Sequence, residues 1–287
     1  MNRPENASRE TGDPTSGFTV ASYNVLANAY LVRRRYRNSP PELLEPSRRI
    51  AALVEHLCAL GADLMCLQEV EPASFRAIDA RLSALGYVGR LVPKGQARPD
   101  GCASFVNTTT LDLIADGRHE YEDGGEGRAS SGHIAQFLLL GHHGRRLGIA
   151  NTHLKWDSPA LPAQHRYGPR QMRELLAQRE RQAPHCDAWL VCGDFNAPPA
   201  SAVTQLLAAA SLHDAHAGVS PAATCNPNGR TETIDFIFHG STLAAEPRAL
   251  PPIADDTPLP GPGQPSDHVA VVARFAWCDE SDVDRRP

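Results

Sequence analysis

Nine short apolar runs, each closed by polar punctuation, constrain the fold of this chain more than any other feature. They read FTVASYNVLA, ADLMCLQEV, YVGRLV, CASFVNT, HIAQFLLLG, RRLGIANTHL, DAWLVCGDFN, TETIDFIFHG and HVAVVARFAW. Each has the length of a strand and is bounded by turn formers. Four other segments carry apolar residues at helical spacing: SRRIAALVEHLCALG, FRAIDARLSALG, PRQMRELLAQRERQ and SAVTQLLAAA. Ser47 is the expected start of the first, Gly61 its stop, and Gly86 the stop of the second. Strands outnumber helices and the two are interleaved, which predicts an α/β protein of stacked sheets with helices outside, in one domain over residues 17–278. Tyr30 to Pro46 and the Pro- and Gly-rich stretches 92–101 and 251–266 read as surface loops. Residues 1–16 read as a disordered tail and 279–287 as a polar C-terminal tail.

The chain has 287 residues, enough to bury a sizeable core. Its formal net charge of −5 lacks the global basic excess of a protein that coats duplex nucleic acid, though a local site for phosphates remains open. No apolar run approaches a membrane span, and the polar N-terminus has no apolar signal core. The seven cysteines form no CxxC pair and several lie in apolar runs, which fits a reducing cytoplasm. The expected state is a cytoplasmic monomer with no membrane and no protein partner.

The strand margins carry the chemistry. Asn24 lies in YNV, Glu69 ends LQEV, His153 ends NTH, and GDFN carries Asp194 and Asn196. Asp235 opens IDFIF, and Asp267 and His268 precede the last strand. GDFNAPP has a plain reading as a turn, since Asp and Asn are turn formers and Pro198 and Pro199 forbid further strand. Burying so many polar groups at the ends of apolar runs is costly unless they share a polar cavity. Side chains two apart in extended chain also share a face, so Asp194 and Asn196 point the same way. Of the twelve histidines most must be bystanders; His142, His143 and His213 are assigned to that group.

The ordered series YNVLA, LQEVE, DGCA, NTHLK, GDFN, IDFIF and PSDH resembles the endonuclease/exonuclease/phosphatase superfamily, over Tyr23 to Phe275. Within it the chain resembles the branch of deadenylases, nocturnin and the Angel proteins. The resemblance implies a four-layer sandwich of two mixed sheets flanked by helices, with the site at one rim, and divalent-metal hydrolysis of a phosphate ester. It makes Glu69 the main Mg²⁺ ligand, with Mn²⁺ able to substitute, and adds Asp194, Asn196 and Asp267 to the metal set. Asn24 is expected on a phosphate oxygen or placing water, and Asp194 orients or deprotonates that water. His153 is expected on phosphate. His268 is expected to donate to a phosphoryl oxygen, with Asp235 on its other ring nitrogen. Lys94, Lys155 and Arg49 match substrate-binding positions. The wider superfamily often has an acid where this chain has Leu26.

The expected substrate is an RNA 3′ end or a nucleotide. A nocturnin-like (di)nucleotide phosphatase is the alternative, weakened by Asp157 standing where the branch often has Arg; a non-catalytic binding module and a DNA-repair nuclease are further options. Trp156 and Tyr167 either stack a base or pack on their own loop. The run Arg33, Arg34, Arg35 and Arg37 reads as a solvated loop, with steering of an anionic substrate as the alternative. No G-x-S-x-G elbow and no P-loop is present, which argues against acyl transfer and nucleotide-triphosphate motors.

Overall fold

The computed structural model describes residues 17–125, 129–219 and 223–278. The two tails expected at residues 1–16 and 279–287 lie outside the described residues. Twelve strands are present among the described residues: β1 (Phe18–Asn24), β2 (Leu64–Val70), β3 (Tyr87–Pro93), β4 (Gly101–Asn107), β5 (Asp112–Glu120), β6 (Ile134–His142), β7 (Arg145–His153), β8 (Ala188–Asp194), β9 (His213–Asp214), β10 (Asp235–His239), β11 (Leu243–Pro247) and β12 (Val271–Trp277). Four α-helices join them: α1 (Pro46–Leu60), α2 (Pro72–Leu82), α3 (Tyr167–Gln182) and α4 (Ala202–Ala209).

The strands form two six-stranded mixed sheets, ordered β11-β12-β1-β2-β4-β3 and β5-β6-β7-β8-β10-β9. Strand alternation explains the layering. Val20, Leu64 and Cys66 meet Ile149, Leu190 and Cys192 between the sheets. Their neighbours Ala21, Met65 and Leu67 turn outward onto Leu53 and Leu57 of α1 and Ile78 of α2. On the other side Val191 and Trp189 meet Met172 and Leu175 of α3 and Leu207 of α4. Both faces of the central strands are covered, which is why their sequences run apolar rather than alternating with polar residues. This is the four-layer sandwich expected from the resemblance.

Three strands were not expected. β5 and β11 are edge strands with mostly half-buried or exposed side chains, so they lack the apolar signal, and β9 is two residues long. Helix α1 begins at Pro46, with Glu45 at the cap position, so Ser47 does not cap it. The fixed φ of proline suits that first position. Gly61 does end it, in the left-handed conformation. The 30–46 segment is a chain of short 3₁₀ turns, at Asn28–Tyr30, Arg33–Arg35 and Pro41–Leu44. Among the described residues no helix is long and apolar enough to cross a membrane.

A polar layer pins the sheets together just beneath one rim. Gln68 Nε2 donates to Asn151 Oδ1 (2.8 Å), and Asn151 Nδ2 donates to Ala103 O (3.1 Å). Ser104 Oγ donates to Gln136 Oε1 (2.8 Å). These groups are buried, and leaving any one unpaired would cost about 1–3 kcal/mol. Gly193, at the end of β8, pairs with Thr152 at φ 147°. A Cβ there would lie 1.8 Å from Thr152 O. Gly193→Ala is therefore expected to lower stability by about 2–4 kcal/mol, read as a reduced denaturation midpoint at unchanged slope.

Candidate active site

The topology delivers the polar residues to one rim. Parallel pairing of β1 with β2 and of β7 with β8 brings Asn24 beside Gln68 and His153 beside Asp194. β10 runs antiparallel to β8 and sets Asp235 opposite Asp194. β12 runs antiparallel to β1, so the residues just before it return to the same edge, where Ser266 Oγ donates to Asn24 O (2.7 Å).

Glu69 does not simply end a strand. The β2–β4 register shifts between Leu67 and Val70, and Glu69 sits at φ 58°. This bulge aims the carboxylate into the cleft rather than into either sheet face. Two more residues of the rim adopt the left-handed region, Leu26 (φ 56°) and Asn196 (φ 48°). Such backbone costs about 1–3 kcal/mol per residue and is characteristic of functional sites. At Leu26 the turn is stabilised by its own N–H, which donates to Asn24 Oδ1 (3.0 Å).

One amide clasps two acids. Asn24 Nδ2 donates to Glu69 Oε1 (3.2 Å) and to Asp194 Oδ2 (3.0 Å), while Ala27 N donates to Glu69 Oε2 (2.9 Å). Asp194 also accepts from Asn196 N (2.9 Å). Burial pushes the Asp194 carboxyl up, and the nearby charge of Asp235 adds to this, to about 7 against the contrary pull of His268 and Asn24. Burial likewise raises Glu69, opposed chiefly by Lys94 and reinforced by Asp267.

His268 Nδ1 contacts Asp235 Oδ2 at 2.9 Å, and that oxygen also accepts from Thr224 Oγ1 (2.6 Å). Burial alone would lower the pKa of the ring. The carboxylates of Asp235, Asp267 and Asp194 outweigh burial and hold it well above 6.5, so His268 is an imidazolium at neutral pH. With Nδ1–H given to Asp235, its Nε2–H points between Asp194 Oδ2 (3.9 Å) and Asp267 Oδ1 (4.0 Å), too far from either for a hydrogen bond. Asp267 is held from behind by Tyr36 Oη, which donates to its Oδ2 (3.0 Å).

On the opposite wall, His153 Nε2 lies 3.0 Å from Asn196 Nδ2, and its Nδ1 lies 3.3 Å from Lys94 Nζ. Burial and the Lys94 charge hold the His153 pKa well below 6.5, so this ring is neutral. Asn196 Nδ2 also donates to Leu154 O (2.9 Å), leaving its Oδ1 for the cleft. Lys94, at a position matched to substrate binding, is buried and donates to Asp100 Oδ2 (2.6 Å), whose other oxygen accepts from Tyr30 Oη (2.7 Å). Lys155 lines the cleft with Nζ 5.4 Å from the centre of the Tyr167 ring. Trp156 lines it too and is 57% exposed.

Arg49 stands away from the cleft, whereas Asn24 and Asp235 stand just behind its lining, on Glu69, Asp194 and His268. Arg49 is 1% exposed, and its guanidinium donates to Val25 O (2.8 Å), Pro265 O (3.3 Å) and Asn28 Oδ1 (2.6 Å). It ties the loop after β1 to the segment before β12 and has no face for a substrate. The histidines assigned as bystanders lie outside the cleft: His142 accepts from Trp277 Nε1 (2.9 Å) and stacks against His143, and His213 packs on His239. Asp157 has a structural duty: its two oxygens accept from Tyr167 N and Gly168 N (both 2.9 Å) and cap α3.

The cleft measures about 870 Å³. Its first donor set is three carboxylates, Glu69, Asp194 and Asp267, with the amide of Asn196: hard oxygens suited to a divalent cation of the magnesium or manganese type. Burial raises both Glu69 and Asp194, with Asp267 adding to the first and Asp235 to the second, and a cation held there would offset that cost, so the chemistry of these donors fits such an ion.

The sequence profile of the Endonuclease/Exonuclease/phosphatase family matches residues 21–268, which contain every one of these groups. The chain belongs to that family. Members are hydrolases of phosphoester bonds, and the family uses divalent metal ions. Carbon catabolite repressor protein 4 homolog 4 of Arabidopsis thaliana is 27% identical over an alignment 325 positions long, spanning 90% of this chain and 77% of the relative. The human Nocturnin catalytic domain, solved with a bound sulfate anion, superposes with a TM-score of 0.71 at 26% identity, covering 91% of this chain and 94% of that one. ANGEL2, a 2′,3′-cyclic phosphatase solved with adenosine-2′,3′-vanadate, shares the fold with a TM-score of 0.74 at 20% identity, covering 90% and 95%.

Several members of the site carry no motif that sequence reading picked out. Asp100, Tyr30 and Tyr36 act by holding Lys94 or Asp267. His133 stacks edge-on against His153 at 5.8 Å, and burial beside Lys94 drives its pKa down to about 2. Cys225 lies with Asp235 and His268 inside a 4.8 Å cluster, and burial keeps its thiol protonated. Asp100 alone has a signal, as the first residue of the DGCA motif, though the motif attaches no role to it.

Proposed function

We propose that this protein is a divalent-cation-dependent phosphoesterase that hydrolyses a phosphate ester of RNA 3′ ends or nucleotides by in-line attack of water. The observation that carries the reading is Asp194. It touches Asn24, through it Glu69, and faces His268 Nε2, so one buried carboxylate joins the cation-binding side of the cleft to the cationic donor side. With its pKa near 7, Asp194 takes a proton from water at neutral pH, on a carboxylate whose two oxygens each accept one hydrogen bond, from Asn196 N and Asn24 Nδ2, and each keep a further lone pair. His268 donates from Nε2 to a non-bridging phosphoryl oxygen as charge builds, and Asp235 keeps its tautomer and charge. Lys94, the neutral His153 and Asn196 hold the phosphate from the opposite wall. A divalent ion held by Glu69 with Asp194, Asn196 and Asp267 would supply charge neutralisation at the phosphoryl and leaving oxygens. No covalent enzyme intermediate is required.

RNA is favoured as the polymer because the wide, open cleft carries the exposed Trp156 as a stacking platform. A (di)nucleotide phosphatase is the second reading, supported by the likeness to Nocturnin; here Asp157 is spent on α3 and offers no cation to a substrate. A binding module without catalysis is disfavoured because the acids, amides and His268 all stand at one rim.

Purified protein with Mg²⁺ or Mn²⁺ is expected to hydrolyse one member of a panel of poly(A) RNA, RNA with a 2′,3′-cyclic end, NADPH and abasic DNA, and to stop in EDTA. Glu69→Ala should lower kcat by about 10³-fold while leaving the protein folded. It should also remove most of the rise in Tm that the cation gives the wild type. Turnover in EDTA, or full activity of Glu69→Ala, would sink the assignment.

A further inference from the structure

A second cavity, of about 280 Å³, opens beside the catalytic cleft between residues 34–39 and the turn 226–229. Arg35 and Asn228 line both cavities, so the two adjoin. Three features show that this annex is built to hold something. Arg34, Arg35 and Arg37 surround it without pairing with any carboxylate among the described residues, whereas Arg33 is engaged by Glu45. Two of the residues that line it carry a buried, unpartnered polar atom, Ser39 Oγ and Asn226 Oδ1, in residues 5% and 3% exposed. The Asn226 amide is also fixed. Its Nδ2 donates to Ala254 O (2.9 Å), Asp255 O (3.3 Å) and Thr257 O (2.9 Å), so turning the amide over would set its oxygen against three carbonyls.

An orphaned buried acceptor costs about 1–3 kcal/mol and calls for a donor from outside the chain. Free arginines call for an anion with several oxygens, and phosphate matches the guanidinium fork. The annex is also wired to the reaction site, because Tyr36 Oη donates to Asp267 Oδ2 and Asn226 N donates to Asp267 O (2.9 Å).

We propose that the annex is a second substrate subsite that takes a phosphorylated nucleoside, its phosphate on Arg34, Arg35 and Arg37 and an N–H or O–H of its base or sugar on Asn226 Oδ1. The inference rests on the phosphoesterase reading above and narrows it: the preferred substrate carries a further phosphate beyond the scissile one. An RNA end of two or more nucleotides and a pyrophosphate-linked dinucleotide share that chemistry, while a mononucleotide lacks it.

The test compares kcat/KM with Mn²⁺ for bis(4-nitrophenyl) phosphate, which has no second phosphate, a triribonucleotide and a pyrophosphate-linked dinucleotide. In Arg34→Ala/Arg37→Ala the ratio of kcat/KM for the phosphate-bearing substrate to that for the minimal diester is expected to fall about 10- to 100-fold, mostly through KM. Lysine at both positions should restore part of the loss, and Arg76→Ala, on exposed α2, should leave the ratio alone. A fall confined to the triribonucleotide assigns the annex to RNA; one confined to the dinucleotide assigns it to that class. Binding of a labelled triribonucleotide and of the dinucleotide to the protein in EDTA, read by fluorescence anisotropy, provides a measurement without turnover. The double variant should weaken whichever binds, and should flatten its salt dependence. Absence of turnover on all three substrates by wild type would overturn the phosphoesterase reading alone. An unchanged ratio together with unchanged binding in the double variant would overturn the annex.

Discussion

Asp194→Asn is expected to lower kcat by about 10³-fold and to flatten the pH dependence of stability in the metal-free protein. The loss of rate follows from removing a group that faces the phosphoryl site with a pKa of about 7, suited to accepting a proton at neutral pH; positioned bases contribute about 10²–10⁴-fold. The stability effect follows from linkage. Asp194 is held near 7 in the folded chain against 3.8 for the free group, and His268 is held well above its ordinary 6.5. Above pH 6.5 the folded state therefore retains protons that the unfolded chain has released, and stability falls as pH rises. The buried neutral rings of His153 and His133 act in the opposite sense, but only below pH 6.5, where the unfolded chain takes up their protons. Tm of the EDTA-treated wild type should thus drop by several degrees between pH 6.5 and 8.5. Mg²⁺ should restore it more at the upper end, because the cation binds ionised carboxylates. In Asp194→Asn the slope should be shallower. Its absolute stability is a poorer guide, since one amide orientation must set N–H groups of Asn24 and the new side chain against each other. A pH slope and a turnover both equal to wild type would remove Asp194 from its role.

His268→Ala and Asp235→Ala are expected to behave as one unit. Loss of the imidazolium removes the donor to the phosphoryl oxygen, which corresponds to about 10²–10³-fold in kcat. Loss of Asp235 leaves the ring in place but takes away the first of the charges that keep it protonated, so the acid side of the rate profile should persist while activity declines at lower pH than in wild type. The double variant should be no slower than His268→Ala alone, because Asp235 acts through the ring it holds. Additive losses would mean that Asp235 touches the substrate by itself. Its Oδ1 is buried without a partner, which makes that outcome a fair challenge.

Much of this arrangement can be read in the order of residues along the chain, and the physical reason is periodicity. Central strands covered on both faces must be apolar throughout, so a polar residue at the edge of such a run stands out, as Asn24, Glu69, His153, Asp194 and Asp235 do. Edge strands obey no such constraint, and β5 and β11 carry no apolar run to mark them. Lys94 and Arg49 show the limit of reading a charged residue by type alone. Each is buried, but Lys94 is neutralised by Asp100 at the cleft while Arg49 is spent on backbone carbonyls away from it, and only coordinates distinguish the two. The bulge at Glu69 is equally silent in sequence, since no glycine or proline marks it. Tyr30 and Tyr36 lie in a segment without periodicity, whose turns are set by the groups they reach rather than by their own propensity.

β1 lies in the interior of its sheet, hydrogen-bonded on one side to β2 and on the other to β12, the last strand of the described chain. Asn24 cannot take up its final place until residues near 270 have arrived. A fragment that stops short of the closing segment therefore has Asn24, Glu69 and Asp235 but not the imidazolium of His268. Such a fragment lacks the cationic donor side of the cleft, and the two sides come together only when the closing strand is in place.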